Sequence, residues 1–170
     1  MVGEGGGQVA PGAQRPSQPR RSSGSPAARA TRFVARLSPE LHAELVAWAA
    51  AGAPNEACGI VAGGHAPGDG GDAVRFHPLT NAEASPFLYR IDPVEQLHAM
   101  LAIDDADEVV WGIFHSHVAS PAVPSVTDVS LAFYPDALYL ICSLADPAAP
   151  HIRAWSIAGD KVTEVPLQIG

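Results

Sequence analysis

A near-continuous apolar run, Val109-Val110-Trp111-Gly112-Ile113-Phe114, ends directly on His115-Ser116-His117. A run of this length without polar alternation reads as a central strand covered on both faces. Side chains two apart on a strand point the same way. The two imidazoles therefore share one face at the strand end, and Ser116 turns to the other. Asp128 returns to the same region across a loop stiffened by Pro121 and Pro124.

The surrounding pattern supplies the layers that such a strand needs. Phe33, Ala35 and Leu37 alternate with polar residues, as in a strand. Ser38 reads as an N-cap and Pro39 as the first helical residue, with Leu41, Leu45, Trp48 and Ala49 forming an apolar stripe to about Ala51. Gly52 and Pro54 end that helix. Cys58 to Ala62 is a short buried strand, residues 63–71 a turn-rich loop, and Val74 to Leu79 another strand. Asp92-Pro93 starts a second helix, with Leu97, Met100 and Leu101 expected on its buried face. A helix is expected from Ser125. Strands follow over Ala137 to Ser143, His151 to Ile157 and Val162 to Leu167, the last two joined at Gly159-Asp160. Helices alternate with strands early and strands follow one another late. The expected fold class is α+β, a single α/β sandwich with a mixed central β-sheet flanked by helices over residues 31–170.

Two histidines and one carboxylate at this spacing can hold a zinc ion and leave a fourth position for water, which distinguishes catalytic from structural zinc sites. Glu56 can take a proton from that water without being a ligand. Each part also has a plainer reading. His-x-His can be two hydrogen-bonded histidines at a strand end. Ser125-x-x-Asp128 is a helix capping box, which is compatible with metal binding because a helix N-terminus would fix Asp128 in place. Glu56 alone reads as an exposed acid at a strand start.

Residues 1–30 are rich in Gly, Pro, Ser, Gln and Arg without hydrophobic period, and the expectation is a disordered tail. They carry four arginines against one glutamate, a net of +3, so the remaining chain carries −11 within a total of −8. An acidic body of this kind argues against nucleic acid as a partner. No segment has the roughly 18 uninterrupted apolar residues of a membrane span, and Met1 to Ala30 has no apolar core of a secretory signal. A cytoplasmic protein without a membrane partner is expected. The two cysteines, Cys58 and Cys142, lie in apolar strand-like runs and read as buried thiols.

Taken together, Glu56 and His115-Ser116-His117, seven residues, Ser125, two residues and Asp128 resemble the JAMM (MPN+, Mov34-type) metalloprotease signature at every position. The resemblance extends to Asn55–Gly63, Leu79–Pro86, Tyr89–Asp92, Thr127–Ala132 and Pro135–Tyr139, and covers about residues 32–168. It implies an MPN/JAMM, cytidine deaminase-like sandwich. It also implies one Zn²⁺ per chain on His115, His117 and Asp128, with Glu56 as general base and Ser125 as a donor to the oxyanion. Asn81, Tyr89 and Arg90 are the substrate contacts it suggests, with a loop-stabilising role open for Asn81. Ser116 is expected to be structural. The implied substrate is a small ubiquitin-like sulfur carrier ending in Gly-Gly, most similar to the bacterial case in which cysteine is released from the carrier. Carriers for thiamin, molybdopterin or siderophore synthesis are the runner-up, and a homodimer is left open. Two readings without catalysis also stand: an inactive MPN scaffold, and a structural zinc domain, for which no fourth ligand is evident in the sequence.

Overall fold

Ser38 and Pro39 start the first helix where the sequence puts them. In the computed structural model, which describes residues 33–170, the Ser38 side chain accepts from the Leu41 N–H at 3.1 Å. The expected disordered tail over 1–30 lies outside the described residues. Strand β1 (Ala35–Leu37) precedes α1 (Pro39–Gly52), which is followed by β2 (Cys58–Gly63) and β3 (Ala73–Leu79). Then come α2 (Pro93–Asp105), β4 (Val109–His117), α3 (Val126–Ser130), β5 (Leu138–Ser143), β6 (His151–Ala158), β7 (Lys161–Val165) and β8 (Leu167–Ile169).

Six strands form one sheet in the order β3-β2-β4-β5-β6-β7, with β4 and β5 parallel and the other pairs antiparallel. The mixed sheet and its helices make the expected α+β architecture. Both faces are covered, which is why the central strands read as unbroken apolar runs. Alternation sorts them. Val61, Phe114, Leu138 and Leu140 pack with Leu41, Leu45 and Ala49 of α1. Ile60, Ile113, Tyr139 and Ile141 pack on the opposite side with Ala99 and Ile103 of α2. His115 and His117 share the parity of Ile113 and so open on the α2 side. Gly59 permits the close pairing of β2 with β3. A Cβ there would lie 2.5 Å from the His77 carbonyl oxygen and 2.5 Å from the Phe76 ring.

Two local readings need correction. α2 buries Ala99 and Ile103, with Met100 half-buried, whereas Leu97 and Leu101 are more than half exposed. The arc 96-99-100-103 faces the sheet, because Gln96 and Met100 are held by the Tyr134 hydroxyl. The expected strand over 162–167 is broken at Pro166, which has no N–H to give a ladder. β7 therefore ends at Val165, and β8 leaves the large sheet to pair in parallel with β1.

Candidate metal centre

Register brings the dispersed residues together. In β2–β4 pairing, Cys58 lies opposite His115, so Glu56 arrives beside the end of the histidine strand. Ser116 ties the two segments from the other face. Its hydroxyl accepts from the Ala57 N–H at 2.8 Å, and its own N–H donates to the Ala57 carbonyl at 2.9 Å. Both partners of the hydroxyl bond are buried. Ser116→Ala should therefore cost about 1–3 kcal/mol, the penalty of a buried donor without a partner. The expected result is a lower Tm with metal stoichiometry unchanged, read by calorimetry and elemental analysis.

The candidate ligand atoms converge. His115 Nε2 and His117 Nε2 are 3.2 Å apart. Asp128 Oδ1 lies 3.4 Å from the first and Oδ2 3.4 Å from the second. Charge-assisted N–H···O bonds are shorter, about 2.7–2.9 Å. Donors held at about 2.0–2.1 Å from a common tetrahedral centre would instead be about 3.3 Å apart. The spacing of the two imidazole nitrogens is close to that edge, and one ligand atom from each of the three residues lies within 4.8 Å of the others, so the residues fit a zinc ion. Among the described residues they are the one group of three or more His, Cys, Asp or Glu side chains close enough to share a metal.

Asp128 is set by the α3 N-terminus, and the capping box is real. Ser125 Oγ accepts from the Asp128 N–H at 3.1 Å, and the Asp128 carboxylate accepts from the Ser125 N–H at 2.6 Å. Burial alone would raise the Asp128 carboxyl, but the two imidazoles beside it and the Ser125 N–H drive it far below the usual carboxylate range. His115 is wholly buried, and burial lowers its pKa, which favours the neutral ring that binds metal. For His117 burial acts downward too, yet the Asp128 carboxylate and the Pro121 carbonyl carry it above its ordinary value. His117 Nδ1 is 2.8 Å from that carbonyl oxygen, which assigns the ring proton to Nδ1 and leaves Nε2 free as a ligand.

Glu56 is 6% exposed, against the plainer reading of a surface acid. Burial is the main cause that lifts its carboxyl to about 7; the Asp128 charge adds to this and His117 opposes it. It lines a cleft of about 280 Å³ with Pro86, Phe87, His117, Ala119, Ser120, Ser125 and Asp128. The opening beside Asp128 thus meets a base of near-neutral pKa, a serine hydroxyl and an aromatic rim.

The three suggested substrate contacts differ in what holds them. Asn81 is fully engaged. Its Nδ2 donates to the Glu56 and Leu88 carbonyls, both at 3.0 Å, and its Oδ1 accepts from the Glu83 and Arg90 N–H groups, both at 3.0 Å. Arg90 is exposed and pairs with Glu83. Tyr89 stacks on His115. Sequence reasoning passed over Phe87, which is 85% exposed at the cleft, and the Pro121 carbonyl, a backbone group that carries no signal in the sequence. Cys58 and Cys142 are free and buried, and burial pushes their thiols to about 12 and about 11. Neither is ionised near neutrality.

Residues 38–158 match the family described as prokaryotic homologs of the JAB domain. A CysO-cysteine peptidase of Mycobacterium tuberculosis is 43% identical over 142 residues, 83% of this chain and 94% of the relative. A desampylase of Haloferax volcanii is 35% identical over 122 residues, 71% and 83% of the two chains. The solution structure of a Desulfitobacterium hafniense protein is 39% identical, with a TM-score of 0.72, covering 81% of this chain and 93% of that one. Among the described residues no helix is long and apolar enough to cross a membrane. With the family match spanning residues 38–158, the chain belongs to the prokaryotic JAB-domain, or JAMM, family.

Proposed function

We propose that this protein is a zinc-dependent peptidase, with one zinc per chain, that hydrolyses the C-terminal amide of a small ubiquitin-like sulfur carrier ending in Gly-Gly and releases cysteine. The observation that carries the reading is the convergence of His115, His117 and Asp128 on one point beside a buried Glu56. The name of the mycobacterial relative supports the cysteine adduct as substrate. The activity belongs to residues 31–170 and to the cytoplasm in this reading.

Zinc held there supplies a Lewis acid and brings the pKa of a bound water from 15.7 to about 7. Glu56 takes one proton from the attacking water and passes it to the leaving amine. Its near-neutral carboxyl suits both halves of that transfer. The Ser125 Oγ lone pair is engaged by the Asp128 N–H, so the hydroxyl hydrogen is free to donate into the cleft. There it meets the oxyanion of the tetrahedral carbon, a contact worth about 2.7–4 kcal/mol. Pro86, Phe87, Ala119 and Ser120 line the cleft, whose size suits an extended chain end with small residues.

The test is intact-mass spectrometry of a Gly-Gly carrier bearing a C-terminal cysteine, incubated with the protein with and without a chelator. Loss of one cysteine residue, abolished by chelation and restored by zinc, is the expected result. An intact adduct in the presence of zinc-loaded protein overturns the cysteine-releasing reading. Cleavage of carrier–lysine conjugates instead would assign the site to protein conjugates.

A further inference from the structure

The ligand residues are not held alike. The His117 ring is oriented by the Pro121 carbonyl at 2.8 Å. Asp128 is fixed by the Ser125 N–H. His115 Nδ1, in contrast, is buried and has no hydrogen-bond partner. Metal-binding imidazoles almost always donate their second N–H to a carboxylate, carbonyl or water, and that bond sets the ring orientation. Here an aromatic ring stands in its stead. Tyr89 stacks on His115 with centroids 4.3 Å apart and planes 20° from parallel.

The stack is itself anchored. Leu88 and Arg90, on either side of Tyr89, are both bound through their backbones to the Asn81 amide, and the same amide holds the Glu56 carbonyl. One side chain thus fixes the segment carrying the tyrosine relative to the segment carrying the base. We propose that Tyr89 is a positioning residue: its ring, laid on His115, fixes the imidazole plane and aims Nε2 at the ligand site in place of the missing outer hydrogen bond. The proposal rests on the metal-site reading of His115, His117 and Asp128. It assigns Tyr89 to the metal centre instead of to the substrate, and gives the work to the ring and none to the hydroxyl.

The test measures zinc affinity by competition with a chromophoric chelator, and the visible absorption of the cobalt-substituted protein. Tyr89→Phe keeps the stack and should match the wild type in both. Tyr89→Leu fills the space without a ring, and should weaken zinc binding by roughly 10-fold or more and alter the cobalt bands. Tyr89→Met gives the same contrast if the leucine variant does not fold. Wild-type affinity in Tyr89→Leu overturns the proposal. Equal losses in Tyr89→Phe and Tyr89→Leu overturn it also, since the hydroxyl would then be the working group. A wild-type protein that binds no stoichiometric zinc brings down the metal site itself, an outcome distinct from either.

Discussion

Glu56→Gln is expected to keep its zinc and to lose turnover by roughly 10²–10⁴-fold, the usual worth of a positioned acid–base group. The substitution preserves shape and hydrogen-bonding length. The Glu56 backbone, held by the Ser85 carbonyl at 2.9 Å and by Asn81 at 3.0 Å, has no reason to move. What disappears is the basic oxygen. The same variant should reveal the cost of burying that carboxylate. In the metal-free protein Glu56 titrates at about 7, above its ordinary 4.5, chiefly because burial disfavours the charge. A group whose folded pKa is raised contributes its full stability below the unfolded value and loses it as pH rises through the folded one. Glutamine does not titrate. The Tm of metal-free Glu56→Gln should therefore coincide with wild type at or below about pH 4.5 and exceed it increasingly up to about pH 7 and above. Zinc content by elemental analysis, turnover near neutral pH and calorimetry across the acid-to-neutral range check the three parts. A near-normal rate removes Glu56 from the chemistry. A Tm gap that does not change with pH means the carboxyl is not desolvated.

Local rules made much of this fold legible. Ser38 and Pro39 are a helix start because one caps and the other is pre-set for the first turn. Residues 109–114 are a covered strand because no polar residue interrupts them. The pleat alone puts His115 and His117 on one face and Ser116 on the other. Other features depend on tertiary placement. Leu97 and Leu101 look like a core stripe until the Tyr134 hydroxyl, from a segment well beyond the helix, fixes which arc of α2 meets the sheet. The break at Pro166 follows from a missing N–H, but the partner that β8 finds in β1 lies at the other end of the described chain. Glu56 illustrates the same limit at the site. Its type and rough position fitted a base, whereas its burial follows from β2–β4 register and from the 81–91 loop folded over it. The stack of Tyr89 on His115 and the Pro121 carbonyl leave no pattern in sequence at all.

His117→Ala is expected to abolish both metal and turnover, which separates a ligand from a base. Among the described residues three protein donors converge on the site, so the variant retains two. Loss of an outer partner alone typically costs 10–100-fold in metal affinity; loss of a ligand should exceed roughly 100-fold. Turnover should fall by roughly 10³-fold or more, since the acidity conferred on water goes with the ion. The change also removes a nearly buried ring, 5% exposed, and strands the Pro121 carbonyl that its Nδ1 engages, so some loss of stability is expected without metal. The discriminating readout is accordingly the shift in Tm on adding zinc. A ligand that binds only the folded state stabilises it by about 2.7 kcal/mol at a hundredfold excess over Kd. Wild type and Glu56→Gln should show that shift at micromolar zinc, and His117→Ala should not. A zinc-dependent shift that persists in His117→Ala would mean the ion sits elsewhere, and the spacing between the two imidazoles would then need another cause. A shift lost in Glu56→Gln as well would make Glu56 a fourth ligand, and the centre a structural zinc site with no position left for water.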